Sequence, residues 1–290
     1  MDTRLNKNGL TWWPSPAKLN LFLHINGRYE NGYHQLQSLF QLLDLADELA
    51  FEVNNSGLIT LAEPLIGVEH QDNLIVRAAN KLKQLIACPT KQDLGCHIHI
   101  KKRLPMGGGI GGGSSNAATT LLVLNKLWDL DIEIPQLSQI GLQLGADVPI
   151  FIQGKTAFAE GVGEKLLGVS LPHSSYLLIF PDCHVSTAQV FAYADLPRET
   201  PKIDLNQYQF STTHNDCQEL VCERYPDVAN ALHWLLEYAP ARMTGTGACV
   251  FATFEHHQQA LDVQKLLPEG TNSAVAKGQN ISPLHKLMNL

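Results

Sequence analysis

Paired cysteines, basic runs and long apolar stretches are all scarce in this chain. Its six cysteines, at 88, 96, 183, 217, 222 and 249, contain no CxxC pair and no spacing of a zinc site or small disulfide scaffold, so they read as buried reduced thiols. Positive charge is in deficit: 21 Lys plus Arg stand against 28 Asp plus Glu, a net −7. That balance disfavours the electropositive footprint of a nucleic-acid binder, although Lys101-Lys102-Arg103 forms a local cluster. No stretch approaches the roughly 18 consecutive apolar residues of a membrane-spanning helix. The opening residues also lack the basic-then-apolar layout of a secretory leader. A cytoplasmic location, with neither nucleic acid nor membrane as partner, is therefore the expectation; oligomeric state is left open.

What is present is a globular composition. With 44% apolar and 17% charged residues, 290 residues can bury a sizeable core, at a length where chains divide into two domains. The division is expected near residue 165, giving units 1–165 and 166–290, because Tyr176–Phe180 opens a part with its own helix, Val228–Tyr238, and strand, Cys249–Phe254. Alternation over Lys18–Ile25 predicts a strand with Leu19, Leu21, Leu23 and Ile25 on one face and Lys18, Asn20, Phe22 and His24 on an exposed one. Lys18 and Asn20 then stand about 6–7 Å apart along that face. A turn at Asn31-Gly32 leads to Leu36–Phe51, which continues the sheet, and Cys96–Ile100 alternates as another strand. Asp72-Asn73-Leu74 opens a helix reaching Cys88-Pro89; further helices are predicted over Asn116–Trp128 and over Pro135–Leu144, the last closed by Gly145 as its C-terminal cap. His97 and His99 share a strand face, but with no third ligand they read as a solvated or inter-element face.

The segment Pro105-Met106-Gly107-Gly108-Gly109-Ile110-Gly111-Gly112-Gly113-Ser114-Ser115 holds six glycines in seven positions and runs into a helix. Glycines let successive amides turn toward one anion, and the helix N-terminus adds its positive dipole end, so this is a candidate phosphate cradle. It is not a Walker A loop, because Gly113 stands before Ser114 where a lysine is required. Gly107, Gly109 and Gly112 satisfy GxGxxG, but no second strand ending in an acid follows, as a dinucleotide fold needs. The missing lysine must come from elsewhere, and Lys18 is the candidate.

Three stretches, Pro16-Ala17-Lys18-Leu19-Asn20, the glycine loop with Asn116-Ala117-Ala118, and Met243-Thr244-Gly245-Thr246-Gly247-Ala248, together resemble the GHMP kinase superfamily. Gly32-Tyr33-His34, Asp72–Ile75, Leu144–Pro149, Ala159–Gly163 and Asn215-Asp216 resemble its branch acting on 4-diphosphocytidyl-2-C-methyl-D-erythritol. The resemblance implies an α+β fold: a ribosomal protein S5 domain 2-like N-terminal domain and a ferredoxin-like C-terminal domain, with the site between them. It implies ATP and Mg²⁺, a cytidine diphosphate derivative as small-molecule substrate, and a place in the non-mevalonate isoprenoid route. By the same resemblance the catalytic pair is Lys18 and Asp147, ATP lies on Pro105–Ser115, and the cytidine compound contacts Asn20, Tyr33, His34, Thr187 and Phe191. Ligands for the metal are not assigned, with Ser114 or Ser115 as candidates.

Plainer readings stand beside these. By local sequence Asp147 is the N-cap of the segment it precedes, Tyr33-His34 a turn aromatic beside a surface imidazole, and Gly245–Ala248 a tight turn that also supports the site. The superfamily also contains mevalonate, homoserine and sugar kinases, and the N-terminal fold also occurs in RNA-associated proteins.

Overall fold

The computed structural model describes residues 9–85 and 93–290. Strands β1 (Trp12–Arg28) and β2 (His34–Asn54) form a long antiparallel hairpin. Its turn closes where the Tyr29 amide donates to the Tyr33 carbonyl at 2.7 Å and Gly32 takes φ +88°, a conformation glycine adopts without Cβ strain. β2 organises the sheet. One edge of it carries β1; along the other, β5 (Ala157–Glu160), β10 (Ser273–Gln279) and β4 (Gly95–Lys101) pair in turn with residues 38–40, 42–43 and 48–54. β3 (Ile59–Leu61) runs parallel to β4, and β6 (Lys165–Gly168) lies beside β5. On its far side β10 passes the sheet on to β7 (Ser175–Ile179), β9 (Val250–Phe254) and β8 (Ala241–Met243), making ten strands among the described residues.

Alternating residues of β2 serve two different cores. Phe40 and Leu42 face helices α1 (Leu74–Gln84), α2 (Gly112–Leu127), α3 (Ile134–Leu142) and α4 (Val148–Gln153), whose Leu82, Leu121, Leu137 and Ile152 complete that core. Leu39 and Leu43 face the other way, into a core shared with Tyr176, Leu178 and Phe251 of the other strands. Helices α5 (Thr187–Ala192), α6 (Gln218–Arg224), α7 (Pro226–Leu236) and α8 (His257–Gln264) pack with Leu177, Val250 and Ala252 as a third. The terminal helix α9 (Pro283–Met288) returns to the first core through Leu284 and Met288.

Three local expectations are corrected. The alternation of β1 does not persist: between the pairs Asn20↔Phe40 and Leu23↔Ser38, β1 advances three residues while β2 advances two. That bulge inverts the parity, so Leu19, Leu21 and Phe22 share one core while Leu23 and Ile25 belong to another, and no face is left exposed. α2 begins at Gly112 rather than Asn116, so the last glycines of the loop form its first turn. α3 ends at Leu142 with Gln143 as cap; Gly145 lies beyond it, its amide reaching back to the Gly141 carbonyl at 3.1 Å.

The start of α1 is as expected, with the Asn73 side chain accepting from the Ile75 amide at 2.9 Å, while the expected run to Cys88-Pro89 falls partly on residues 86–92, outside the described residues. Cys96, Cys217 and Cys249 are buried free thiols, Cys183 and Cys222 half-buried ones, and Cys88 is outside the described residues. Burial pushes the Cys96 and Cys217 thiols up to about 12. His97 and His99 find partners in the Thr60 hydroxyl and the Glu52 carboxylate; no cluster of three His, Cys, Asp or Glu side chains fit for a metal occurs among the described residues. Nor is any helix among them long and apolar enough to cross a membrane.

Candidate active site

The glycine loop is anchored at its entrance by a residue the sequence reading passed over. Asp47, fully buried on β2, accepts from the Lys102 ammonium at 2.8 Å, the Arg103 and Leu104 amides at 2.8 Å each, and the Asn116 side-chain amide at 3.0 Å. One carboxylate thereby ties the segment after β4 to the second turn of α2. Asp47→Asn keeps the shape but replaces an acceptor oxygen by a donor facing donors. It is expected to lower stability to urea unfolding by about 2 kcal/mol.

Beyond that anchor, Gly107, Gly109 and Gly111 take φ of +72°, +70° and +76°, left-handed backbone that glycine adopts without Cβ strain. The loop is docked on both sides. The Lys18 amide donates to the Ile110 carbonyl at 3.0 Å, and the Cys249 amide to the Gly108 carbonyl at 3.3 Å. Gly111 is the N-cap of α2, whose first intrahelical bond runs from the Ser115 amide to the Gly111 carbonyl at 2.8 Å. The amides of Gly112, Gly113 and Ser114 thus precede any intrahelical acceptor, at the positive end of a sixteen-residue helix.

Lys18 is not exposed, as the sequence suggested, but 2% accessible. Its ammonium donates to Asn20 Oδ1 at 2.5 Å and to the Gly109 carbonyl at 3.1 Å, lies 3.2 Å from Asp147 Oδ2, and stands 5.2 Å above the Phe40 ring. The shared face of Lys18 and Asn20 is as expected. Asp147 occupies the N-cap position of α4 but makes no side-chain cap bond there; its 37% exposed carboxylate turns to Lys18 instead.

Two cavities meet at this pair. One of about 410 Å³ follows the loop from Pro105 to Ser114 and is walled by Leu65, Val68, Leu74 and Lys102. The other, of about 740 Å³, is lined by Lys18, Asn20, Tyr33, His34, Thr187 and Phe191 together with Gly245. Ser114 and Asp147 line both. Ser115 lines neither, being buried where the Ser15 hydroxyl donates to its own at 2.9 Å. The turn at Gly245–Ala248 braces the junction: the Thr244 hydroxyl accepts from the Asn20 amide at 2.8 Å, and the Thr246 and Thr187 hydroxyls pair at 2.9 Å. In the larger cavity Tyr33 is 64% exposed, whereas His34 is buried and stacked on Phe191 with centroids 4.9 Å apart.

Comparison with known proteins decides the family. A family model for the GHMP kinases N terminal domain matches residues 73–155, and one for the GHMP kinases C terminal matches 199–269. The chain is 60% identical over 276 residues, 95% of each chain, to 4-diphosphocytidyl-2-C-methyl-D-erythritol kinase of Pseudoalteromonas atlantica. The chain belongs to the GHMP kinases. Kinases of the same printed name from Tolumonas auensis and Shewanella loihica are 54% and 56% identical, over 95% and 97% of this chain and 95% and 98% of theirs. A crystal structure of 4-(cytidine 5'-diphospho)-2C-methyl-D-erythritol kinase superposes with a TM-score of 0.80 at 29% identity, covering 92% of this chain and 99% of that one. The mevalonate kinase of Methanococcus jannaschii, at 14% identity, 95% and 100% coverage and a TM-score of 0.63, shares the fold.

In this GHMP kinase the irregular segment from Tyr193 to Asp216 straps the second cavity to β1. Buried Asp216 accepts from the Ile25 amide at 2.5 Å and the Thr200 hydroxyl at 2.8 Å. The Asn215 side chain donates to the Met243 and Gly245 carbonyls at 2.8 Å each. Behind them Arg242 donates to carbonyls of Leu21, Phe210 and Thr213, and burial pushes its guanidinium down to about 10.

Proposed function

We propose that this GHMP kinase transfers the γ-phosphoryl group of ATP to the 2-hydroxyl of 4-diphosphocytidyl-2-C-methyl-D-erythritol, in the non-mevalonate route to isoprenoid precursors. The observation that carries the proposal is the junction of the two cavities at Asp147 and Ser114, with Lys18 beside it. A donor nucleotide in the smaller chamber and an acceptor in the larger one bring their reacting ends to that point, which is what in-line transfer requires.

In this reading the adenine lies against Leu65, Val68 and Leu74, and the phosphates face the loop amides and the start of α2. Lys18 is the fixed positive charge for the migrating group, its position set by Asn20 and the Gly109 carbonyl. Asp147 receives the acceptor hydroxyl: one of its oxygens pairs with Lys18, leaving the other to orient that hydroxyl and take its proton. Mg²⁺ fits this donor set as an ion carried mainly by phosphates, since the Asp147 carboxylate and Ser114 hydroxyl are the hard oxygen donors lining both chambers. When bound it supplies charge neutralisation to the triphosphate. Ser115, committed to Ser15, is not one of its ligands.

For the cytidine base the proposal is a pocket of Tyr33, His34 and Phe191, with Thr187 and Asn20 toward the phosphates and acceptor. Since His34 covers one face of Phe191, a base stacked on Phe191 takes its other face. Burial, with the charges of Arg198 and Arg28, holds His34 below the usual imidazole range and hence neutral at pH 7. The finer fold description belongs to the same proposal: an S5 domain 2-like unit, residues 1–165, and a ferredoxin-like unit, 166–290, with the cut at β6, in a cytoplasmic enzyme.

ADP release on mixing the protein with MgATP and 4-diphosphocytidyl-2-C-methyl-D-erythritol tests the proposal. The cytidine compound is expected to be used far better than its uridine analogue, and Phe191→Ala to raise KM for it by about 1–3 kcal/mol of lost stacking. Equal use of mevalonate, homoserine or a free sugar would overturn the acceptor assignment and leave the kinase.

A further inference from the structure

The strap from Tyr193 to Asp216 contains one side chain whose donors are all committed. Arg198 Nε donates to His34 Nε2 at 3.1 Å. One terminal nitrogen donates to the Ala194 and Leu196 carbonyls at 3.1 and 2.9 Å; the other donates to those of Phe191 and Tyr193 at 3.3 and 2.6 Å. A guanidinium has five N–H donors, and here five acceptors meet them, so none is left for a substrate. Four of the acceptors are carbonyls, as in many structural arginines. The fifth is a ring nitrogen of His34, a residue that lines the larger cavity, and it makes the cluster more than a brace.

Arginine cannot accept a hydrogen bond, so His34 Nε2 must offer its lone pair. A neutral imidazole with an acceptor at Nε2 carries its proton at Nδ1. His34 Nδ1 has no protein partner among the described residues; His34 lines the cavity, and its ring stacks on Phe191, whose carbonyl the same guanidinium holds. We infer that Arg198 is a positioning residue that determines base specificity, by fixing His34 as an Nδ1–H donor toward the cavity. A ring so fixed favours a base with an acceptor ring nitrogen, as cytosine has at N3, and opposes one with an N–H there, as uracil has. The inference rests on the proposed cytidine substrate and names the residue that sets its selectivity.

Two measurements on the full-length protein test it. In ¹⁵N spectra of histidine-labelled protein, the His34 signals, assigned by their loss in His34→Ala, should report a neutral Nδ1–H tautomer; an Nε2–H tautomer would overturn the inference without any change at Arg198. In kinetics, Arg198→Met should lower the cytidine-over-uridine ratio of kcat/KM by about tenfold, with the change falling on KM for the cytidine compound rather than on KM for ATP. Arg198→Lys, which keeps one donor for Nε2, should recover part of that ratio. A merely structural role would weaken both bases alike and leave the ratio unchanged, and that result refutes the inference alone. A wild-type enzyme that uses both bases equally would remove the cytidine reading itself, and the inference with it.

Discussion

Asp147→Asn is expected to lower kcat by about 10² or more while leaving the affinity for ATP nearly unchanged. The substitution preserves shape and position at the start of α4, where Asp147 makes no cap bond that would be lost. It removes a negative charge 3.2 Å from the Lys18 ammonium and an oxygen able to take a proton. Lys18 keeps Asn20 and the Gly109 carbonyl as partners, so its placement toward the phosphates survives. The loss therefore falls on the acceptor hydroxyl, through orientation and proton transfer, and appears in kcat. Steady-state turnover with saturating substrates reads it, and calorimetric titration with a non-hydrolysable ATP analogue provides the control. Near-wild-type turnover would remove Asp147 from the mechanism.

The second large effect separates two adjacent glycines. A Cβ on Gly108 would sit 3.6–3.9 Å from Pro105, Cys249 and Ile110, ordinary contact distances. On Gly109 it would lie 2.6 Å from the Thr244 carbonyl oxygen and 2.9 Å from that of Gly247, with the backbone at φ +70°. Neither carbonyl is the end of a flexible side chain, so the loop or the 244–248 turn must move. Gly109→Ala is expected to lose about 3 kcal/mol of stability, from overlap and left-handed strain together, and to weaken ATP binding. Gly108→Ala should do little of either. Gly111 resembles Gly109, since a Cβ there would stand 2.7 Å from the Phe151 ring, so a bulky residue at Gly111 acts on the fold as well as on the phosphates. Chemical denaturation alongside nucleotide titration distinguishes these cases. Equal stability of the two alanine variants would show that the loop does not depend on close packing against the turn.

Features governed by short-range rules were legible in the sequence. The common face of Lys18 and Asn20 follows from strand alternation, the start of α1 from Asn73, and the nature of the loop from its glycines and the helix behind it. Where a bulge intervened, alternation misled: one extra residue between Asn20 and Leu23 reassigns Leu23 and Ile25 to a different core, and nothing local in Leu21-Phe22 announces it. The start of α2 was placed late because glycine is a poor helix former, yet here its freedom suits both the loop and the first turn. Lys18 was read as exposed because its partners, Gly109 and Asp147, lie 91 and 129 residues away in sequence. Asp47 left a trace, an acid among apolar residues on the inward side of a strand. Arg198 left none, standing in a segment without period whose contacts are set by tertiary structure alone.

The return of α9 to the first core joins parts of the chain far apart in sequence. His285 lies over Gly154 and reaches the Ile152 carbonyl at 2.9 Å, while the Ser282 amide donates to the Gly154 carbonyl at 2.8 Å. Leu284 and Met288 fill the same core as Ile152 and Phe151, on the helix that begins beside Asp147. Contacts of such large sequence separation cost loop-closure entropy before they return any burial, so this seal closes late in folding. Until α9 docks, that core has an open apolar flank and α4 lacks its backing. Weakening α9, as Leu284→Ala would, therefore acts on the helix that follows Asp147 from 133 residues away and leaves the glycine loop, which α9 does not touch, in place.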